Sequence, residues 1–268
     1  MWTYLGQNFL IDAKVRQYIA DHIFSLYREL WCEALIEIGP GKWSITRLIN
    51  TVSSNFFLIE KDEKLVGTRD AERVTGNVIV WDVLDLNVKT ILETKKLDTK
   101  KTLVVGNLPY YITSPILRKF FGNWSQEFAG GIFMVQDEVA QRLDSQTHKK
   151  SYLRWLLHYA YQVKYLKWVP AKCFKPAPKV KSALIALNVK RETVNVKFEK
   201  LIQFLDLYSP FTRKTLGAIG TMLTKKVSRD PEVSRAGAGC GTSFVIPEYL
   251  RKKRMEELTW EELEEILK

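Results

Sequence analysis

Asn107-Leu108-Pro109-Tyr110 puts an amide oxygen, a backbone carbonyl, a rigid ring and an aromatic face within four residues. That set suits chemistry on an exocyclic base amine. Such a nitrogen is a poor nucleophile because its lone pair is delocalised into the ring. It reacts when acceptors hold both of its protons and draw it toward tetrahedral geometry. The Asn107 side-chain oxygen and the Leu108 carbonyl supply two acceptors, and Pro109 stiffens the loop without adding a competing N–H. Tyr110 offers a face for an extruded base, a contact worth about 1–3 kcal/mol. With a positively charged methyl donor in line no strong general base is required, and orientation does most of the work.

A second group of residues is spaced to hold such a donor. In Glu37-Ile38-Gly39-Pro40-Gly41 the glycines allow close backbone approach. Glu60, 21 residues beyond Gly39, suits the two hydroxyls of a ribose. Asp82 can accept from an adenine amino group. Taken singly these features are ordinary: a Gly-Pro-Gly turn is often structural, and an acid after a strand often caps a helix. Glu37 reads either as a pocket carboxylate or as a brace for the loop, with the pocket favoured. Neither Gly-x-Gly-x-x-Gly nor a Gly-Lys-Ser/Thr phosphate loop is present, which favours a nucleoside cofactor without phosphates, S-adenosylmethionine being the common one.

The elements around these residues alternate. Ala34–Ile38, Phe56–Ile59, Val78–Trp81, Leu103–Val105 and Ile132–Val135 are short apolar runs that read as strands. Ile45, Leu48, Ile49 and Val52 share one helix face, and a charged helix is expected from about Asp62. Alternation of this kind predicts a parallel sheet wound on both faces, with its ligand at the carboxyl ends of the strands. Glu37–Gly41, Glu60, Asp82 and Asn107 all fall at such ends. Ser182–Val189 is the last strand expected. Beyond it Phe198, Leu201, Ile202 and Leu205, then Leu258, Leu263, Ile266 and Leu267, predict helices. The expected division is a Rossmann-like α/β domain over 1–189 and a small all-helical domain over 190–268.

The 268 residues carry 41 Lys and Arg against 30 Asp and Glu, a net charge of +11. The excess is divided as +8 over residues 1–189 and +3 over residues 190–268, so it is no basic tail. A basic folded protein attracts polyanions by counterion release, which points to nucleic acid. Hydrophobic residues make up 46% and charged residues 26%, which excludes a disordered chain. No apolar run approaches the roughly 18 residues of a membrane span. Met1–Asn8 turns polar before a signal segment could form, so a cytoplasmic setting is expected. Cys32, Cys173 and Cys240 are widely spaced, and His22, His148 and His158 are isolated, so neither a disulfide framework nor a metal site is expected.

Several segments together resemble the ribosomal RNA adenine N6-dimethyltransferases, the KsgA/RsmA and Erm superfamily. They are Leu5-Gly6-Gln7-Asn8-Phe9-Leu10, Glu37–Gly41, Ile59-Glu60-Lys61-Asp62, Asn107–Tyr110, Met134–Arg142, Phe174–Ser182 and Arg213-Lys214-Thr215-Leu216. The resemblance runs along nearly the whole chain. It implies a class I methyltransferase sheet, S-adenosylmethionine as cofactor, and two successive methylations of adenine N6 in ribosomal RNA. It further implies that Gln7, Asn8 and Leu10 close over the methionine part of the cofactor. Glu37, Gly39 and Gly41 would line the site, and Glu60 with Lys61, Asp82 with Val83, and Asn107 would complete it. Asn107, Leu108, Pro109 and Tyr110 would hold the amine, with Phe174 stacking on the other face of the base.

Asn-Leu-Pro-Tyr followed by Ser114-Pro115, together with the Arg213-Lys214-Thr215 segment, favours the small-subunit (16S) branch, with the immature small subunit as partner and the chain a monomer. Alternatives are an Erm-type methyltransferase of large-subunit (23S) RNA and a non-catalytic RNA-binding, assembly or mitochondrial-type transcription factor. Lys149, Lys150, Arg213, Lys214, Lys225 and Lys226 are expected on RNA. Arg251–Arg254 is divided between RNA and pairing with the following glutamates. Trp155, Tyr159, Tyr161 and Trp168 are expected to pack the sheet. Trp43, Trp81 and Leu153 stand where the family pattern has glycine. A tryptophan beside a cofactor loop can stack on adenine, face solvent or crowd the pocket.

Overall fold

The computed structural model describes residues 7–68, 74–122, 128–144, 151–190, 197–229 and 244–268. Its sheet has seven strands: β1 (Ala34–Ile38), β2 (Asn55–Glu60), β3 (Asn77–Val80), β4 (Thr102–Asn107), β5 (Gly130–Gln136), β6 (Tyr161–Val169) and β7 (Ser182–Val189). Their order is β3-β2-β1-β4-β5-β7-β6. Strands β1 to β5 are parallel neighbours, and the order turns back between β1 and β4. That switch point leaves a crevice beyond the carboxyl ends of β1 and β4.

Both faces of the sheet's central part are covered, which is why β1, β2, β4, β5 and β7 are near-continuous apolar runs. Successive residues point to opposite faces. Ala34, Ile36, Ile38, Val104, Phe133 and Ile185 join one apolar cluster, whereas Leu35, Leu103, Val105, Ile132 and Leu184 join the other. Helix α1 (Ala13–Glu29) lies over the second face and buries Val15, Ile19, Ala20, Ile23 and Leu26 at helical spacing. Asp12 caps it by accepting from the Val15 N–H at 2.9 Å. Two single-turn helices, α2 (Thr46–Ile49) and α3 (Glu63–Val66), follow β1 and β2, and α4 (Val88–Thr94) follows β3. Helices α4, α5 (Thr113–Phe121), α6 (Asp137–Leu143) and α7 (Tyr152–Ala160) contribute to the first cluster.

Several expectations need correction. The sheet is not wholly parallel: β7 runs antiparallel to both β5 and β6. The helices expected around Leu48 and after Asp62 are each one turn long, and Leu48 is exposed. Strand β6 leaves no apolar run in the sequence because it is an edge strand. Its outer positions carry Gln162, Lys164 and Lys167, so its apolar residues never form a run. Lysines on an edge also discourage pairing with another chain. Tyr161 is fully buried in the sheet core and Tyr159 packs against it, as expected, but Trp168 is 47% exposed. Trp155 belongs to a third apolar cluster, with Leu201, Phe204, Leu205 and Tyr208 of α8 (Phe198–Tyr208), Leu216 and Ile219 of α9 (Leu216–Arg229) and Leu263, Ile266 and Leu267 of α10 (Trp260–Leu267). It meets Trp260 edge to face, ring centres 4.9 Å apart.

Candidate active site

A hollow of about 150 Å³ opens at the switch point. The loop after β1 forms its floor. Gly39 and Gly41 have φ of 64° and 59°, the left-handed region that glycine occupies without strain. The space where a Gly39 side chain would project is open, while a Cβ on Gly41 would meet the Phe9 ring at 3.2 Å. The Gly39 N–H donates to the Ile59 carbonyl (2.9 Å) and the Gly41 N–H to Glu60 Oε2 (3.0 Å). Glu60 Oε1 accepts from the Asp62 N–H (2.9 Å), so this carboxylate braces two loops. Each oxygen keeps a second lone pair for a ligand. Burial raises the Glu60 carboxyl above its usual range, and the backbone N–H of Asp62, then that of Gly41, draw it partly back.

Asp82 follows β3. Its Oδ2 pairs with Lys61 Nζ at 2.7 Å and its Oδ1 accepts from the Leu84 N–H at 2.9 Å. The Lys61 ammonium is the main reason its carboxyl lies below the ordinary range. Glu37 is 2% exposed, and burial pushes its carboxyl up to about 8. Its Oε2 and the nearby Thr46 Oγ1 are both buried without a hydrogen-bond partner of normal geometry, although the hydroxyl and the charge of Glu60 temper and reinforce the shift respectively. Glu37 faces the hollow on one side and an apolar cavity large enough for about one water on the other.

Strand β4 brings up Asn107 and the residues that follow it. Gly106 lies so close to β1 that a Cβ would come within 2.6 Å of the Ile38 carbonyl oxygen, which seats Asn107 on the rim. Asn107 Nδ2 donates to the Asn8 carbonyl (2.9 Å). That bond assigns the remaining Oδ1 as the acceptor. The Leu108 N–H donates to the Met134 carbonyl (3.1 Å), and the Pro109 carbonyl accepts from Ile112 N–H and Thr113 Oγ1 (both 3.2 Å). The Tyr110 hydroxyl lies 2.6 Å from Ser182 Oγ at the start of β7, which fixes its ring. Burial raises the Tyr110 hydroxyl above its usual range. The N-terminal segment closes the top. Phe9–Leu10 pairs antiparallel with Phe174–Lys175, and Gln7 Nε2 donates to Asp62 Oδ2 at 3.3 Å.

Gln7, Asn8, Leu10, Glu37, Gly39, Gly41, Glu60, Lys61, Asp82, Val83 and Asn107 to Tyr110 therefore all line one hollow. Phe174 does not: it is 3% exposed, opposite Leu10, in the apolar cluster that holds Cys173 and Trp43. Trp43 is fully buried, its indole N–H donating to the Leu65 carbonyl (3.1 Å), and so neither stacks in the hollow nor crowds it. Its φ of 60° explains a glycine pattern at that position. Trp81 lines the mouth and is 56% exposed; Leu153 packs beneath the sheet in the first turn of α7. Sequence reasoning missed Tyr111, which is 64% exposed at the mouth, and Lys42 and Ser44, whose signal was their adjacency to the glycine loop.

Arg213 and Lys214 are exposed before α9 and lie apart from the hollow. Lys149, Lys150, His148 and Cys240 lie outside the described residues, as do the side chains of Lys225 and Lys226. Within Arg251–Arg254, Arg251 pairs with Glu248 and Lys253 with Glu262, so part of that run is neutralised locally. Among the described residues no group of three or more His, Cys, Asp or Glu could hold a metal ion, and no helix is long and apolar enough to cross a membrane.

A seven-strand sheet with a glycine turn and the acidic ends of β2 and β3 around one hollow at its switch point defines the class: a Rossmann-like methyltransferase. The chain matches the ribosomal RNA adenine dimethylase family over residues 2–233, and it belongs to that family. It is 33% identical over 242 residues to the ribosomal RNA small subunit methyltransferase A of Clostridium botulinum strain Loch Maree, covering 87% of this chain and 84% of that one. With its counterpart in Bacillus pumilus it shares 36% over 201 residues, 73% of this chain and 66% of the relative, so the match spans just under two thirds of that protein. Crystal structures of the 23S rRNA methyltransferase ErmE (TM-score 0.66, 24% identity, 97% of this chain and 99% of that one) and of a dimethyladenosine transferase from Plasmodium falciparum (0.69, 20%, 97% and 96%) have the same fold.

Proposed function

We propose that this chain dimethylates N6 of two adjacent adenosines near the 3′ end of small-subunit (16S) ribosomal RNA during ribosome biogenesis, with S-adenosylmethionine as donor. The observation that carries the reading is Asn107. Its amide nitrogen is committed to Asn8, which leaves its oxygen as an acceptor on the rim of the hollow that also holds the glycine loop, Glu60 and Asp82. Family membership and the names of the small-subunit relatives support the substrate.

The residues present fit the cofactor. Glu60 can take the ribose hydroxyls through its spare lone pairs, and Asp82 the adenine amino group beside Lys61. The open space over Gly39 would admit the methionine part, beside the buried Glu37 carboxyl. The cofactor supplies a methyl group on a positively charged sulfur. Asn107 Oδ1 and the Leu108 carbonyl would hold the two amine protons, and the Tyr110 ring, fixed through Ser182, would carry one face of the base. Phe174 reaches the other face only if the Phe9–Leu10 and Phe174–Lys175 ribbon shifts.

We further assign residues 1–189 to the methyltransferase domain and 190–268 to an RNA-binding helical domain, whose apolar cluster also takes in Trp155 of α7. Arg213, Lys214, Lys149, Lys150, Lys225 and Lys226 serve as phosphate contacts. The chain would act as a monomer on immature small subunits in the cytoplasm. Radiolabelled methyl transfer to small subunits from cells lacking the modification tests the reading, with primer extension locating the product. Incorporation at adjacent adenosines of the small-subunit RNA is expected. Transfer to large-subunit RNA, or none to either, would overturn it.

A further inference from the structure

Trp81 is a large apolar side chain left 56% exposed on the wall of the hollow. Its backbone is held firmly: the Trp81 N–H donates to the Glu60 carbonyl at 3.1 Å, and Asp82 follows it directly. The residue is therefore anchored beside Glu60 and Asp82, whose carboxylates are assigned to the ribose and the adenine, and it lines the same hollow. Those carboxylates are already busy. Glu60 accepts two backbone N–H groups, and Asp82 accepts the Lys61 ammonium and the Leu84 N–H. Polar recognition of the adenosine end is thus shared with the protein's own donors. Neighbouring Val83, 6% exposed, offers only a small apolar edge. A flat aromatic face at this place supplies the missing contact area.

We propose that Trp81 is a lid on the adenosine end of the cofactor, its indole laid against the purine and ribose, and that it sets the affinity for every ligand carrying that end. The inference rests on the cofactor reading above. It makes Trp81 a ligand-contacting residue that acts on binding without touching the transferred group.

The test uses calorimetry on the full chain with S-adenosylmethionine, S-adenosylhomocysteine and 5′-methylthioadenosine, which keeps the adenosine end and lacks the amino-acid end. Trp81→Ala is expected to weaken all three by a similar factor, about tenfold, in line with the cost of losing one aromatic stack. Trp81→Phe is expected to fall between it and the parent, and also serves if the alanine variant folds poorly. Ligand-induced change in tryptophan emission should be largely lost in Trp81→Phe. Affinities within twofold of the parent would overturn the proposal. So would a loss confined to ligands with the amino-acid end, or a loss of RNA affinity alone. If the parent chain binds none of the three ligands, the cofactor reading itself fails instead.

Discussion

Asn107 and Glu37 do different work on two sides of one hollow. Asn107 acts through an oriented amide: its nitrogen is tied to the Asn8 carbonyl, so removing the side chain deletes an acceptor and loosens the N-terminal segment together. Asn107→Ala should lower methyl transfer about 100-fold or more while RNA affinity stays within a few fold, as single-turnover rates and filter binding would show. Glu37 acts through its charge state. Its carboxyl is pushed up to about 8 in the folded chain, against 4.5 for the free group. The folded state then holds a proton that the unfolded state has released. The associated stability is fully present below about pH 4.5 and is lost as pH rises toward 8. Glu37→Gln should flatten that decline by an amount of the order of a few kcal/mol, read from urea unfolding between pH 5 and 9. Glu60, also raised, contributes a smaller slope of the same sign that the variant leaves in place.

Strand β4 and the loop after β1 form one mechanical unit. A methyl group at position 106 would sit 2.6 Å from the Ile38 carbonyl oxygen, so the strands must separate to admit any side chain there. Gly106→Ala should cost about 1–3 kcal/mol in denaturant unfolding and should displace Asn107, lowering transfer beyond the loss of stability. Elements with both faces covered were legible as runs: Ala34–Ile38, Asn55–Glu60 and Thr102–Asn107 lie within a residue or two of their expected bounds. Strand β6 was not legible, because an edge exposes one side to water and its lysines break the run. Nor was the direction of β7. Its apolar pattern is the same read either way, and its antiparallel pairing is set by where β6 returns the chain.

Across the molecule the charge of +11 couples to salt. Binding of the proposed RNA substrate should weaken steeply as salt rises, because each neutralised phosphate releases counterions. Arg213 and Lys214 are exposed and outside the hollow's lining, so reversing both to glutamate tests the helical region separately from the cofactor site. The double variant should reduce the slope of log affinity against log salt by about 2 and leave S-adenosylmethionine affinity unchanged. An unaltered slope would remove these two residues from the RNA contact. Trp155 joins α7 of the sheet region to the C-terminal cluster, which local pattern could not indicate. An aromatic residue on a helix reads as core, but to which of two cores it belongs depends on the crossing of segments distant in the chain.

Residue order alone was enough for the family, the wound sheet and nearly every group around the hollow, since strand ends, glycine turns and the Asn-Leu-Pro-Tyr run are local signals that folding brings to one sheet edge. The fates of Trp43, Trp81 and Phe174 were not contained in it. Each is a large aromatic beside the site, yet Trp43 is locked inward by its bond to Leu65, Phe174 is buried within the ribbon it forms with Phe9–Leu10, and Trp81 stays at the mouth. An aromatic ring gains from burial wherever apolar partners surround it. Which side of a loop offers those partners is decided by distant segments packing together.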